Sequence, residues 1–347
     1  HVDLVALLEV QGSVQGVLVG ALQHDHSVNK PGVVQGQAVG VVVGGHHASA
    51  VPEDFDGLAD WVVIGDGEDT LRRLCAEWPR RPEETQRLTP APMRVMDPTA
   101  IDWVNYGPNG VAEPGGAVWL VTSRGCPFRC RYCMEPLRGP GRPAYRVEAT
   151  LDILEGLMKT HAPTAVAFGD PLFGADRKWT AALLKGLIDR RFPVTYWAQT
   201  RADLMTPELL EGFTAANFKL DFGLDTGSAA MARRMEKSPN PERYLERSHR
   251  MLQAADAAGL CHGIYLLFNY PGETPETVDE TQRYIERLSA GRGPISGWLS
   301  AQTFFILPGT ESYARMAEYR ARFGTEIHHP DWWRRPGEHY ALATRVL

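Results

Sequence analysis

From Ala117 onward, short apolar runs alternate with longer amphipathic segments. The apolar runs have the length of buried strands, and the segments between them repeat apolar residues at helical spacing. The predicted strands cover residues 117–122, 164–168, 193–199, 218–224, 262–269 and 297–306, and the predicted helices cover about 147–160, 176–190, 207–216, 241–258, 275–290 and 311–322. Six strand–helix units in succession predict an α/β fold in which a parallel sheet curls into a partial (β/α)6 TIM-like barrel, with its active-site loops at the carboxyl ends of the strands.

Residues typical of helix ends support this pattern. Asp176 and the pair Thr206-Pro207 suit helix starts, because an N-cap side-chain oxygen accepts a free backbone N–H and proline fits the first turn. Gly259 suits a helix end. These positions lie at the boundaries of the predicted helices.

The segment before Pro82 alternates valine-rich runs with glycine turns. Strands are predicted at residues 2–10, 39–43 and 61–64, and a helix at residues 69–77. A strand, a glycine turn and a helix in succession are typical of a doubly wound parallel sheet, which binds ligands at the carboxyl ends of its strands. The sequence therefore predicts a partial Rossmann-like domain, within which the stretch Gln11–Gly36 has no clear period.

Residues 79–116 are rich in proline and have little apolar periodicity, so we predict that they form a linker. The chain then divides into four parts. They are a Rossmann-like domain at residues 1–78, the linker at 79–116, the partial barrel at 117–325 and a C-terminal extension at 326–347.

The composition excludes several classes of protein. Apolar residues make up 44% and charged residues 22% of the 347 residues, which is typical of a globular chain. A net charge of −6 argues against a general nucleic-acid binder, because such a protein needs a basic surface. No apolar run reaches the roughly 18–20 residues of a membrane helix. No secretory signal is recognisable, and because the chain begins at His1 without an initiating Met, we expect residues upstream.

Three of the five cysteines, Cys126, Cys130 and Cys133, fall within eight residues. Clustered thiols in a reducing compartment more often bind metal than form disulfides, so we expect a cytoplasmic protein. Zinc sites favour paired Cys-x2-Cys and four ligands, whereas the spacing here is Cys-x3-Cys-x2-Cys. Three thiolates at this spacing can hold three corners of a [4Fe–4S] cube and leave one iron open. Incidental or zinc-binding cysteines are the alternative.

The spacing, with the aromatic Tyr132 before the last cysteine, resembles the defining motif of the radical S-adenosylmethionine (SAM) superfamily, and the resemblance extends over roughly residues 115–320. It implies that the open iron chelates the amino and carboxylate groups of SAM. An electron from the cluster then cleaves SAM to a 5′-deoxyadenosyl radical, which abstracts hydrogen from a substrate. The protein's role is to place the cofactors and to exclude water.

The resemblance also implies SAM contacts from loops at the strand ends. The candidate SAM-binding residues are Tyr132, Asp170, Gln199, Arg201, Asp225, Ser228 and Pro308. Asp170 has an alternative role as a turn cap, and Ser228 as a helix N-cap. Relatives often carry Gly-Leu-Glu-Ser-Gly where residues 223–227 read Gly-Leu-Asp-Thr-Gly, and the shorter acid reduces the reach of any ribose contact. The segment Pro271–Thr274 resembles a family turn and also suits a helix start.

A second resemblance lies near the N-terminus. Residues 41–50 and 60–68 are similar to the last two strands of the cobalamin-binding domain that precedes the barrel in one group of radical SAM enzymes. That group commonly has Gly-Gly-Pro-His and Gly-Glu-Gly-Glu, where this chain has Gly-Gly-His-His and Gly-Asp-Gly-Glu. The candidate cobalamin-binding residues are Gly44, Gly45, His46, Gly65, Gly67 and Glu68. The upstream part is shorter than a full cobalamin domain, and no Asp-x-His-x-x-Gly segment supplies an axial histidine.

Together the resemblances imply a cobalamin-dependent methyltransferase that acts at an unactivated carbon, with a [4Fe–4S] cluster, SAM and cobalamin as cofactors. One alternative is a cobalamin-independent radical SAM oxidation, cyclisation or rearrangement, and another is a non-catalytic iron–sulfur protein. The expected partners are a small-molecule or natural-product substrate and an electron donor such as flavodoxin or ferredoxin. No nucleic acid or membrane partner is expected.

Two further features have structural interpretations. Cys75 and Cys261 lie away from the expected catalytic end and are predicted to be small apolar packing residues. The segment His328–Trp333, with two adjacent histidines and two tryptophans, is predicted to contribute aromatic packing rather than metal ligands.

Overall fold

A computed structural model describes residues 4–5, 18–22, 40–77, 82–101, 116–138, 141–290, 297–327, 331, 334 and 344–345. Its contacts divide the chain into two units. The first comprises His1–Arg94 with Pro136–Gly141, and the second comprises Val95–Glu135 with Arg142–Leu347. Of the segment His328–Trp333, only Asp331 is among the described residues.

The first unit contains a five-stranded sheet whose strands follow one another in chain order. Its strands are β1 (Leu4–Val5), β2 (Leu18–Leu22), β3 (Gly40–Gly44), β4 (Trp61–Val63) and β5 (Gln86–Leu88), and its helices are α1 (His46–Ala50) and α2 (Glu68–Glu77). Strands β3, β4 and β5 are parallel, as expected for a Rossmann-like sheet. Strands β1 and β2 instead pair antiparallel, so the sheet is mixed.

Adjacent residues of β3 enter two different apolar clusters. Val42 packs with Trp61 and with Leu74 of α2, whereas Val43 packs with Ala48 of α1. Because neighbouring side chains of a strand point to opposite faces, each helix covers its own face of the sheet. This is the double cover that the strand–turn–helix pattern predicts.

Two elements of this unit lie in segments that have no clear apolar period. Strand β2 falls within Gln11–Gly36, and β5 falls within residues 79–116, the predicted linker. Strand β5 is polar and mostly exposed, and it joins the sheet through parallel pairing with β4. Cys75 packs against the cluster around Trp61, as predicted for a small apolar residue.

The second unit is built on a six-stranded parallel sheet with the strand order β11-β10-β9-β8-β7-β6. Its strands are β6 (Ala117–Leu120), β7 (Ala165–Phe168), β8 (Thr195–Thr200), β9 (Phe218–Asp225), β10 (Cys261–Phe268) and β11 (Gly297–Thr303). Its helices are α3 (Val147–His161), α4 (Arg177–Arg190), α5 (Pro207–Ala215), α6 (Ala229–Arg234), α7 (Pro241–Ala257), α8 (Pro275–Ser289), α9 (Glu311–Ala314) and α10 (Met316–Phe323). A two-residue pair, β12 (Glu326–Ile327) with β13 (Thr344–Arg345), lies near the end of the chain.

The helix boundaries follow the capping residues. Asp176 accepts hydrogen bonds from the first turn of α4, and Thr206 caps α5 with Pro207 at the first helical position. Helix α7 ends at Ala257, two residues before Gly259, which has a positive φ of 68°. These ends agree with the sequence prediction. Helix α6 is an addition, since its six residues are too few for a clear apolar period.

The sheet of the second unit has one packed face and one open face. Leu120, Phe168, Ala198 and Leu220 are register partners on successive strands, and each is fully buried. This row faces the helices, and burying each of its larger side chains contributes about 2 kcal/mol. Residues one position away, such as Trp119, point to the inner face of the curled sheet. Among the described residues, no helix combines the length and hydropathy needed to cross a bilayer.

Candidate functional site

The three clustered cysteines lie in the loop between β6 and α3, at the carboxyl end of the first barrel strand. The two ends of this loop pair with each other, because Ser123 and Ala144 form an antiparallel bridge. Cys130 is buried, while Cys126 and Cys133 are half-buried, and all three are free thiols. The Cys133 amide donates to the carbonyl of Cys130 at 3.0 Å, which makes a tight turn between them. The loop thus has the position that the sequence predicts for a catalytic loop.

The three thiols influence one another electrostatically. Burial raises the pKa of Cys133 to about 12, and it also raises the pKa of Cys126 against a hydrogen bond from the Phe128 backbone. The nearby Cys130 thiol adds to both increases. Iron bound to the thiolates would replace the protons and supply the compensating positive charge.

The donor set fits an iron–sulfur cube. Three soft sulfur donors on one short loop are the ligands that such a cluster uses, and a fourth protein ligand is not required. In the part of the chain that the structure describes, no three His, Cys, Asp or Glu side chains converge on a single metal ion. A cube does not need that convergence, because each thiolate binds a different iron.

Asp170, at the end of β7, holds the start of the cysteine loop. Its carboxylate accepts the Thr122 amide at 2.6 Å, the Thr122 hydroxyl at 2.7 Å and the Ser123 hydroxyl at 2.6 Å. Asp170 is only 4% exposed, so burial raises its pKa while these three donors oppose the increase. The structure thus gives Asp170 an anchoring role, and its contact with SAM stays a prediction.

Tyr132 and Asp225 meet at the mouth of the barrel. The Tyr132 hydroxyl donates to the Asp225 carboxylate, and Lys237 forms an ion pair with the same carboxylate. Burial, followed by the negative charge of Asp225, holds the pKa of Tyr132 well above its ordinary value, so its hydroxyl stays protonated. Two candidate SAM residues predicted from separate motifs are therefore in direct contact. Lys237 was not a candidate, because a single lysine after a short helix carries no motif.

Arg201 and Gln199 have different environments although they lie two positions apart. Arg201 is 4% exposed and forms an ion pair with Asp203 at 2.9 Å. Its guanidinium also lies 3.8 Å from the centre of the ring of Phe128, which belongs to the cysteine loop, and this is a cation–π contact. Gln199 is exposed on the inner face of β8. Arg201 is thus engaged within the protein, whereas Gln199 is accessible to a ligand.

Ser228 and the turn after β10 have structural roles. Ser228 is fully buried, caps α6 and donates to the carboxylate of Glu280. Glu273, from the segment Pro271–Thr274, accepts the amide of Asn269, and a capping box at Thr274 starts α8. These are the structural alternatives that the sequence left open.

Pro308 is buried in the turn after β11 that leads into α9. Thr310, two residues later, donates its hydroxyl to the carbonyl of Leu307 at 2.7 Å and caps α9. This turn contacts the cysteine loop, because the Ser312 amide donates to the Arg131 carbonyl at 2.9 Å. The predicted contact between Pro308 and SAM stays a prediction.

Aromatic side chains line the inner face of the curled sheet. Trp119 and Trp298 are 50% and 37% exposed, and the ring of Trp119 lies 5.7 Å from that of Trp197 in an edge contact. Trp197 donates its indole N–H to Asp221 at 2.8 Å. Burial raises the pKa of Asp221 against hydrogen bonds from Trp197 and Tyr265. Sequence reasoning missed this set because tryptophan within a strand pattern looks like ordinary core.

In the first unit, the two glycine loops are adjacent. Gly45, with a positive φ of 99°, is the N-cap of α1, and His46 begins that helix. The Ser49 hydroxyl donates to the carbonyl of Gly45 at 2.7 Å and accepts the amide of Gly65 at 2.9 Å. A side chain at Gly65 would meet no atom within 4 Å, so the surface there is open. The structure therefore brings together the candidate cobalamin residues of both loops, and their ligand stays a prediction.

The carboxylate of Asp66, within the second glycine loop, is bonded to other residues of the protein. One carboxylate oxygen accepts the Nε of Arg138 at 2.8 Å, and the other accepts the Met93 amide at 3.0 Å. The side chains of Asp66 and Arg138 are 8% and 12% exposed, so this is a largely buried ion pair. It holds the loop Gly65–Glu68 against the segment Pro136–Gly141, which belongs to the same unit.

Substituting Asp66 with Asn is expected to loosen the first unit. Breaking a buried ion pair while one charge stays behind costs about 3 kcal/mol. Hydrogen exchange of peptides covering residues 40–63 should show the loss as faster opening. Asp69→Asn is the matched control, because Asp69 is 84% exposed and its ion pair with Arg72 spans 3.9 Å. Equal exchange in the two variants would show that the Asp66–Arg138 pair does not support the loop.

Residues 120–285 match the family model of the radical SAM superfamily. This part of the chain is therefore similar to radical SAM domains, a class whose cofactors are a [4Fe–4S] cluster and SAM. The cysteine motif, the parallel sheet and the family match agree on this class.

Two curated proteins are similar to the chain. One is described as an uncharacterized methyltransferase of Pyrococcus horikoshii, 23% identical over 276 residues, which are 72% of this chain and 58% of that protein. The other is a tRNA-2-methylthio-N(6)-dimethylallyladenosine synthase of Acidothermus cellulolyticus, 28% identical over 182 residues, which are 49% of this chain and 36% of that protein. The chain thus spans about half the length of the curated relatives it matches.

Two solved structures share the fold. The methyltransferase TsrM of Kitasatospora setae, with cobalamin and a [4Fe–4S] cluster bound, has a TM-score of 0.64 at 20% identity and covers 82% of this chain and 59% of its own. The cobalamin-dependent SAM radical enzyme OxsB, with aqua-cobalamin bound, has a TM-score of 0.61 at 16% identity and covers 87% of this chain and 50% of its own. At these identities the similarity establishes the fold alone, a parallel partial barrel preceded by a Rossmann-like sheet.

Proposed function

We propose that the protein is a radical SAM enzyme that cleaves SAM reductively to start a radical reaction on a small organic molecule. The observation that carries this proposal is the loop with Cys126, Cys130 and Cys133, which lies at the carboxyl end of β6 beside Tyr132 and Asp225. A parallel barrel performs its chemistry at this end. The family match over residues 120–285 supports the same conclusion.

The protein's own residues prepare the site. The three cysteines would hold the cluster, and Asp170 fixes the start of their loop through three hydrogen bonds. When bound, the cluster supplies the electron that cleaves SAM into methionine and a 5′-deoxyadenosyl radical. Tyr132 presents a partly buried aromatic ring next to the last cysteine, where it would help to exclude water.

The finer proposal is a cobalamin-dependent methyl transfer to an unactivated carbon. It is supported by the methyltransferase name of the Pyrococcus horikoshii relative and by the cobalamin bound in TsrM and OxsB. Within the first unit, Ser49 joins the loops that begin at Gly44 and Gly65, and glycines there leave room for a flat corrin. His46, Gly67 and Glu68 belong to the same proposed site.

The substrate is proposed to be a small molecule with an apolar or aromatic part. Trp119, Trp197 and Trp298 give the inner face of the sheet a partly exposed aromatic lining, and Gln199 adds a polar contact. TsrM, a protein of similar fold, has been solved with a tryptophan substrate bound, and this supports the proposal of an aromatic substrate. The proposed electron donor is a reduced flavodoxin or ferredoxin, and the proposed compartment is the cytoplasm, where free thiols persist.

Anaerobic reconstitution with iron and sulfide, followed by dithionite and SAM, tests the proposed activity. The reconstituted chain is expected to form 5′-deoxyadenosine, measured by liquid chromatography, and the chain without iron is expected to form none. If the loaded protein binds its cluster but never cleaves SAM, the non-catalytic iron–sulfur alternative is correct.

Corrinoid content separates the cobalamin-dependent reaction from its alternative. Protein expressed with hydroxocobalamin is expected to retain about one corrinoid per chain after gel filtration. A cobalamin-independent radical reaction is favoured by the missing Asp-x-His-x-x-Gly segment. Active SAM cleavage without any retained corrinoid would select that second candidate.

A further inference from the structure

A three-residue turn that follows α6, Met235–Lys237, lies against the cysteine loop. We name it the 235–237 turn. The amide of Arg131 donates to the Met235 carbonyl at 3.0 Å, and the Arg131 guanidinium forms an ion pair with Glu236 at 2.5 Å. Glu236 has a positive φ of 51°, a conformation that few residues other than glycine adopt. The turn is therefore held in a specific shape rather than passing by as a loose connection.

Arg201 forms a second link between the 235–237 turn and the cysteine loop. Arg201 donates to the carbonyl of Lys237 at 2.8 Å, and its guanidinium lies over the Phe128 ring at 3.8 Å. Arg201 is fixed in turn by its ion pair with Asp203. The backbone of Lys237 and the ring of Phe128 are thus joined through one buried cation.

The side chain of Lys237 completes the contact. It is 5% exposed, forms an ion pair with Asp225, and donates to the Tyr132 hydroxyl at 3.3 Å. Because Tyr132 also donates to Asp225, the three groups form a closed ring of polar contacts. Asp225, the last residue of β9, has a positive φ of 67°. Its backbone therefore departs from the extended strand conformation at the point where the carboxylate binds Tyr132 and Lys237.

A buried lysine is uncommon unless a partner compensates its charge. Packing alone does not call for one here, since an apolar side chain of similar length fills the same volume. The charge of Lys237 has a specific geometric effect instead. It joins Tyr132, which precedes Cys133, to Asp225 at the end of β9.

We propose that Lys237 is a positioning residue that, through Tyr132 and Asp225, fixes the last turn of the cysteine loop and thereby the face of the cluster that receives SAM. The inference deepens the proposed function and rests on it for the SAM part. The ordering of the loop by Lys237 does not depend on SAM and is measured separately.

Hydrogen exchange and cluster spectroscopy on the reconstituted full chain test this proposal. Lys237→Met is expected to take up as much iron as the wild type but to exchange the amides of residues 126–134 faster. Its reduced cluster should give an altered electron paramagnetic resonance spectrum. Its dissociation constant for SAM should rise about tenfold, which corresponds to the loss of one well-placed polar contact.

Three further variants show whether Lys237 acts through Tyr132. Tyr132→Phe removes only the hydroxyl and is expected to give a similar increase in exchange. The double variant with Lys237→Met should be no worse than either single variant, because coupled residues are not additive. Lys237→Arg keeps the charge and should restore part of the wild-type spectrum. Lys178→Met is the matched control, since Lys178 is exposed on α4, and it should resemble the wild type.

The outcomes are separable. If Lys237→Met matches Lys178→Met in exchange and spectrum, or if its effects add to those of Tyr132→Phe, the positioning role is wrong. If the wild type binds a cluster but not SAM, the proposed function fails while the exchange measurement still decides the role of Lys237. If Lys237→Met does not fold, Tyr132→Phe and Lys237→Arg provide the same comparison.

Discussion

Replacing Cys130 with alanine is expected to abolish SAM cleavage, with a rate at least about a thousandfold lower, equivalent to about 4 kcal/mol of activation free energy. Cys130 is the most buried of the three cysteines, at 9% exposure, and lies between the other two in the loop. Two remaining thiolates hold only two corners of the cube, so the cluster is lost or degraded. The measurement is iron content after reconstitution together with the yield of 5′-deoxyadenosine.

Cys261→Ala is the matched control for this experiment. Cys261 is a half-buried free thiol at the first residue of β10, at the opposite end of the strand from the catalytic loops. It is expected to keep normal iron content and normal SAM cleavage. Retention of a four-iron cluster and of activity in Cys130→Ala would contradict the assignment of the loop.

Replacing Asp170 with alanine is expected to destabilise the second unit by about 3 kcal/mol or more. The substitution leaves the Thr122 amide and the hydroxyls of Thr122 and Ser123 without their acceptor, and each buried unsatisfied donor costs about 1–3 kcal/mol. The start of the cysteine loop should then lose its fixed position, and reconstitution should give less iron. Urea unfolding and iron analysis measure the two effects.

Two comparisons make the Asp170 result specific. Asp170→Asn keeps one acceptor oxygen, and the two hydroxyls can reorient towards its amide, so about 1 kcal/mol is expected. Asp152→Ala on the exposed side of α3 should change little. If Asp170→Ala is as stable as Asp152→Ala and binds full iron, the anchoring role of the carboxylate is wrong.

Most of the barrel was predictable because strand and helix periods are local properties. The strands β6 to β11 lie within one to three residues of the predicted runs, and caps such as Asp176 and Thr206 mark the helix starts. Helix α6 and strand β2 were not predictable. The first is too short for a period, and the second depends on antiparallel pairing with β3, which no local pattern encodes.

The placement of the three cysteines on one loop was also predictable, since their spacing is a local motif. The polar network around them was not. Asp170 reaches Thr122 across 48 residues, and Lys237 reaches Tyr132 across 105. Such contacts are set by which strand ends meet at the barrel mouth, and the spacing of residues in the sequence does not specify that. Ser228 and Arg201 make buried contacts within the protein that their motif positions do not specify, and their contacts with SAM stay predictions.

The central claim is that three cysteines hold a [4Fe–4S] cluster with one iron open to SAM. The most direct measurement is the electron paramagnetic resonance spectrum of the anaerobically reconstituted, dithionite-reduced chain, recorded without and with SAM. We predict about four irons per chain and a [4Fe–4S] signal whose g-values shift when SAM is added, because the open iron gains ligands. A four-iron signal that SAM leaves unchanged, or a chain that assembles no such cluster, would contradict the account.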